Sequence, residues 1–101
     1  MLIVKKEAEK DIKSAYDWYE EQRTNLGRAF VAEVDTKLQQ IEGHPEFYSA
    51  VVIDVRRALC KKFPYTIYFV HREENVIIIA VLHQRRNPAV WQARQKAERG
   101  A

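Results

Sequence analysis

Apolar and polar positions follow two rhythms along this chain, one up to residue 43 and another beyond residue 50. Ala8, Ile12, Ala15, Tyr16 and Tyr19 recur at steps of four, three, one and three, which stacks them on one helical face. Glu7, Lys10, Lys13, Asp17 and Glu21 fall on the other faces. This helix is predicted to end near Gln22. Thr24 and Asn25 are both N-cap residue types, and Phe30, Val34, Leu38 and Ile41 then form a second apolar stripe, stopped by Gly43 with Pro45 beyond it. A link of only a few residues makes two such helices antiparallel, so residues 7–43 are expected to form a helical hairpin with one apolar side. Before it, Leu2-Ile3-Val4 reads as a short strand.

After Pro45 the period changes. From Val51 the chain is rich in Val, Ile, Tyr and Phe, and the turn signals Phe63-Pro64-Tyr65 and Glu73-Glu74-Asn75 divide it into three strands. Val76 to Leu82 is apolar without alternation, the pattern of a central strand covered on both faces. The connections are too short for crossovers, so the sheet should be mainly antiparallel. Asn87-Pro88 then caps a last helix carrying Val90, Trp91, Arg94 and Ala97. The expected class is α+β in one domain over residues 1–101, order β-α-α-β-β-β-α, with the N-terminal hairpin packed on the sheet.

Composition narrows the function classes. The longest apolar run has seven residues, against the roughly 20 that span a bilayer. The first residues lack a signal-peptide layout, so a cytoplasmic, soluble protein without a membrane partner is expected. No glycine-rich phosphate loop, cysteine pair or HExxH spacing is present, and neither metal nor cofactor is expected. The single cysteine, Cys60, reads as a buried structural thiol rather than a nucleophile paired with His71 or His83. Glu7, Glu9, Asp11 and Asp17 are spread around the first helix and read as a solvated face.

Charge is distributed unevenly. Residues 1–54 hold seven basic and eleven acidic side chains, a balance of −4, whereas residues 55–101 hold ten and three, a balance of +7. Such a basic half attracts nucleic acid or an acidic protein segment. Arg56, Arg57, Lys61, Lys62, Arg85, Arg86 and Arg94 are the candidate target or nucleic-acid contacts, although a charged rim also protects strand edges. His83, at the end of an apolar strand and just before Gln84, Arg85 and Arg86, is a sharper candidate than His44 or His71. Trp18 and Trp91 are core by default, and otherwise anchors for a partner.

The order and spacing of several short motifs resemble the RelE/ParE toxin superfamily across almost the whole chain. They are Ala15-Tyr16-Asp17-Trp18-Tyr19-Glu20, Leu26-Gly27-Arg28-Ala29-Phe30, Pro45, Tyr48, Val55-Arg56-Arg57-Ala58, Phe63-Pro64-Tyr65 and His83-Gln84-Arg85-Arg86-Asn87-Pro88 with Trp91. The resemblance implies a growth-arresting toxin of a type II toxin–antitoxin module, as in plasmid stabilisation, neutralised by a cognate antitoxin that wraps an acidic or amphipathic segment over it; the helical hairpin, the aromatic side chains and the basic sheet edge make Trp18, Tyr19, Arg85 and Trp91 its candidate contacts. Two activities occur in the superfamily: RelE-like cleavage of messenger RNA on the ribosome, and ParE-like poisoning of DNA gyrase. Of the RelE-type catalytic set, Arg57 and Arg86 match. Leu59 replaces a second basic residue, Thr66 replaces an arginine, and Trp91 and Gln92 occupy the tyrosine's region. A ribonuclease would have to rely on His83, Arg86 and Arg57. Losing the other groups removes charge stabilisation and proton transfer, so the balance favours a ParE-like gyrase inhibitor. The alternatives are a RelE-like endoribonuclease and a basic binding module without toxicity.

Overall fold

The structure, a computed structural model, describes residues 1–100. Its order is β1 (Leu2–Val4), α1 (Lys6–Gln22), α2 (Leu26–Gly43), a 3-10 turn (Pro45–Phe47), β2 (Ala50–Val52), β3 (Val55–Leu59), β4 (Tyr65–Arg72), β5 (Asn75–His83) and α3 (Ala89–Gly100). The late region therefore holds four strands rather than three. Ala50–Val52 is a strand of its own because Ile53 and Asp54 turn the chain back into β3, with Val52 opposite Val55. The five strands lie in the order β1-β5-β4-β3-β2, antiparallel except for β1, which runs parallel to β5. The α1–α2 hairpin carries the chain from one sheet edge to the other, and the β2–β5 meander brings it back beside β1.

The hairpin forms where the two apolar stripes predict it. Asn25 begins α2 at φ 71, but its side chain does not cap the helix. Glu20 does so from α1: its carboxylate accepts the Asn25 and Gly27 N–H groups, each at 2.9 Å. These bonds hold the carboxyl below its ordinary range, Asn25 N–H contributing most.

The sheet separates two apolar layers. Phe30, Val34 and Ile41 of the hairpin pack on Ala58, Ile67, Phe69, Ile78 and Val81. On the opposite face Trp91 of α3 joins Val55, Val70, Ile77, Ile79, Ala80 and Leu82. Two covered faces explain why β5 is apolar without alternation.

Within β5, Ala80 faces Tyr68 and Ile78 faces Phe69, so Ile79 is an extra residue, a β-bulge. The bulge shifts the alternation that follows it. Ile77 and Ile79 lie in the α3 layer, yet Val81 lies in the hairpin layer. His83 follows Val81 in the period-two pattern and sits opposite Tyr65, which also packs on the hairpin layer.

Candidate functional site

Strand β1 ends at Val4, opposite Ile78, and the Lys5 N–H bonded to the Ile78 carbonyl is the last backbone link along that edge. Further along β5, two side chains take over. The Asp11 carboxylate of α1 accepts the Val81 N–H at 3.0 Å, and the Arg94 guanidinium of α3 donates to the Ile79 carbonyl at 3.1 Å. Asp11 and Arg94 also bond each other in a two-pronged ion pair, one prong being Nη2 to Oδ1 at 3.1 Å. Their side chains are only 12% and 21% exposed. The pair thus satisfies polar backbone that a longer β1 would have bonded.

This corrects two expectations. Asp11 is not part of a solvated face, and Arg94 is not a free anion contact, because each neutralises the other between α1, β5 and α3. The clue to Asp11 is its spacing, three residues after Ala8 and four before Ala15, on the buried stripe.

Beyond this pair a cleft of about 650 Å³ opens between α1 and the end of β5. Ala15, Trp18, Tyr19, Pro64, Tyr65 and Leu82 supply its apolar lining, and Lys10, His83 and Arg86 its basic groups. Trp18 is 56% exposed and stands edge-on to Tyr19, their ring centres 5.1 Å apart. Tyr19 is no free-standing contact: its ring also meets Phe30 and Phe63. Burial, above all, raises the hydroxyl pKa of Tyr19 and Tyr65, so both stay protonated at neutral pH.

His83 Nδ1 accepts the Arg85 N–H at 3.1 Å. In the neutral ring the proton is therefore on Nε2, and this nitrogen is a donor rather than a base. Arg86 N–H bonds the His83 carbonyl at 2.8 Å, closing the same turn.

The three residues a ribonuclease would use are not assembled. His83 and Arg86 line the cleft, while Arg57 lies opposite Tyr68, on the α3 side of the sheet. On that side the cross-strand row is Leu59, Thr66 and Leu82, without a charged group. Thr66 is buried there.

The other basic candidates are dispersed. Arg56 donates to the Tyr48 carbonyl at 2.6 Å, on the hairpin side, and so is partly committed to the fold. Lys61 and Lys62 are exposed in the β3–β4 loop, whose backbone N–H groups are held by Glu33 at 2.9–3.0 Å. Arg85 is exposed in the turn after β5. Trp91, core by default and otherwise a candidate antitoxin contact, is 7% exposed and stacks on Tyr68 with ring centres 5.1 Å apart. It is a core residue. Cys60 is buried, and burial pushes its thiol up to about 11, the state of an unreactive group.

Among the described residues no helix is long and apolar enough to cross a membrane. No curated protein matches the sequence. A solved structure described as "Chromosomal ParDE TA system from P. aeruginosa" superposes with a TM-score of 0.73 at 15% identity, covering 81% of this chain and 92% of that one. That likeness concerns the fold. Residues 2–88 match the family described as "ParE toxin of type II toxin-antitoxin system, parDE", a span from β1 through the cleft to the cap of α3. With the motifs of the hairpin and meander falling inside that span, the chain belongs to the ParE toxin family of type II toxin–antitoxin systems.

Proposed function

We propose that the protein is a growth-arresting toxin that inhibits DNA gyrase by binding it, acts in the cytoplasm, and is neutralised by a cognate antitoxin, as in plasmid stabilisation. The observation that carries this reading is the row Leu59, Thr66 and Leu82. Cleaving RNA requires groups that stabilise developing charge and move protons at one point. Here that row is uncharged, and Arg57 is separated from His83 and Arg86 by the sheet. Binding a protein target needs none of that convergence. Exposed Arg57, Lys61, Lys62, Arg85 and Arg86 offer charge complementary to an acidic target surface.

The test is a supercoiling assay with purified gyrase beside a ribosome-dependent messenger RNA cleavage assay. Inhibition of supercoiling without codon-linked cuts is expected. Cuts abolished by combining His83→Ala with Arg86→Ala, together with unaffected gyrase, would overturn the proposal in favour of an endoribonuclease.

A further inference from the structure

We propose that β2, at the sheet edge remote from β1, pairs antiparallel with β2 of a second copy of this chain, joining two five-stranded sheets across a two-fold axis. The inference does not depend on the toxin reading. Edge strands that stay unpaired are blunted by charge, proline or a covering group. The rest of this sheet's edges follow that rule. Strand β1 is flanked by the terminal ammonium group and by exposed Lys6. Past its end, Asp11 and Arg94 occupy the Val81 N–H and the Ile79 carbonyl of β5. Past the end of β3, Glu33 accepts the Lys61 and Lys62 N–H groups.

Strand β2 breaks the rule. Among the described residues no strand lies outside it, and no side chain bonds the backbone of Ala50–Val52. It sits in Phe47-Tyr48-Ser49-Ala50-Val51-Val52-Ile53, seven residues without charge, proline or glycine. Three of their apolar side chains stand in solvent: Phe47 is 76% exposed, Ile53 95% and Val52 39%. The carboxylate that follows, Asp54, is drawn to α3 by Arg99 and Gln95.

What fits such an edge is a strand that is itself uncharged. The segment carries no cation with which an acidic partner could pair, whereas a second copy supplies the same neutral edge without opposing charges. With the two-fold axis at Val51, Ala50 lies opposite the partner's Val52, and Ile53 lies opposite the partner's Ser49. Both clefts, each beside β5, then stay open toward the far ends of a ten-stranded sheet. So short an edge covers less than the roughly 800 Å² per partner of a stable complex, so the dimer is weak, with a Kd on the order of 10–100 μM.

The test is sedimentation velocity on the full chain from about 5 to about 500 μM, a range that brackets this Kd. Ala50→Lys combined with Val52→Lys, and Ala50→Glu combined with Val52→Glu, each set like charges opposite one another at exposed positions. Either form alone should associate at least about ten-fold more weakly than the parent, and an equal mixture of the two at least as tightly as the parent. Ile53→Lys, in the turn outside the ladder, gives a second reading should the double variants fold poorly. It should weaken association at least about three-fold. A parent that stays monomeric throughout overturns the proposal; binding of an alternating Val/Thr peptide by that monomer would then give the edge to a strand of another protein. Undiminished dimerisation of the Lys form, which places the contact on another face, overturns it as well, as does a mixture that fails to associate.

Discussion

A methyl group at Gly27 would lie 2.6 Å from the Tyr16 carbonyl oxygen and 2.8 Å from Tyr16 Cδ1. The first neighbour is helix backbone and cannot swing aside, so α1 and α2 would have to separate. Gly27→Ala is expected to destabilise the protein by about 3 kcal/mol, read as a lower midpoint in urea; an unchanged midpoint would show that the hairpin can open freely there. Cys60 gives a second test at the scale of one residue. Below about pH 9 its thiol is protonated whether the chain is folded or not, whereas above it the unfolded chain releases a proton that the buried thiol retains up to about pH 11. Stability should therefore decline as pH rises through that window, by about 2 kcal/mol. Cys60→Ala should flatten the decline in a series of denaturation curves, and equal declines in both proteins would refute the cause. Glu20 works in the opposite sense. Its lowered pKa contributes stability above the ordinary carboxylate range, and that contribution is lost as pH falls.

At the scale of elements, α3 is attached differently from the hairpin. The hairpin rests on a broad apolar layer, whereas α3 combines Trp91 with a set of polar ties. Besides Arg94–Asp11, Glu98 pairs with Lys5 at 3.2 Å, Arg99 pairs with Asp54 at 3.0 Å, and Gln95 bonds Asp54 at 2.6 Å. Arg94→Ala leaves a mostly buried carboxylate without its counter-charge and should cost about 3 kcal/mol. Hydrogen exchange should rise first in α3 and at Val81; uniform loss of protection across the sheet would show that the tie is not local. The helices were legible in the sequence because an apolar stripe repeating every three or four residues lines one side of a helix and would scatter over both faces of a strand. Strand β2 is not distinguishable from β3 in the sequence, because three residues joined through a two-residue turn leave no pattern of their own. Asp11 reads as a solvated carboxylate in the sequence because its charge masks its position on the Ala8–Ala15 face. Its partner is 83 residues away, a pairing that no local spacing encodes.

Across the whole molecule, the charge asymmetry is partly internal. Asp11 and Asp54 from the acidic half pair with Arg94 and Arg99 from the basic half. The excess left at the surface is carried by residues such as Arg57, Lys61, Lys62, Arg85 and Arg86, all exposed. Fields of this kind act on encounter with a target more than on folding. If the protein inhibits gyrase as proposed, Lys61→Glu combined with Lys62→Glu should weaken that inhibition about ten-fold and make what remains less sensitive to added salt, while the thermal midpoint stays near that of the parent because Glu33 binds the loop through backbone. Unaltered inhibition by this variant and by Arg57→Glu would remove the basic surface from target binding. The sequence disclosed the sign and amount of this charge, but not which cations the fold keeps for itself.

The bulge at Ile79 has an evolutionary side. One inserted codon in β5 decides whether the strand's tail, with His83 and the arginines after it, emerges beside α1 or beneath α3. Deleting Ile79 would thus exchange the cleft on one face for a basic surface on the other, with every other side chain retained. Across such an event two proteins can match residue for residue at this strand end and still meet their partners with opposite sides of the molecule.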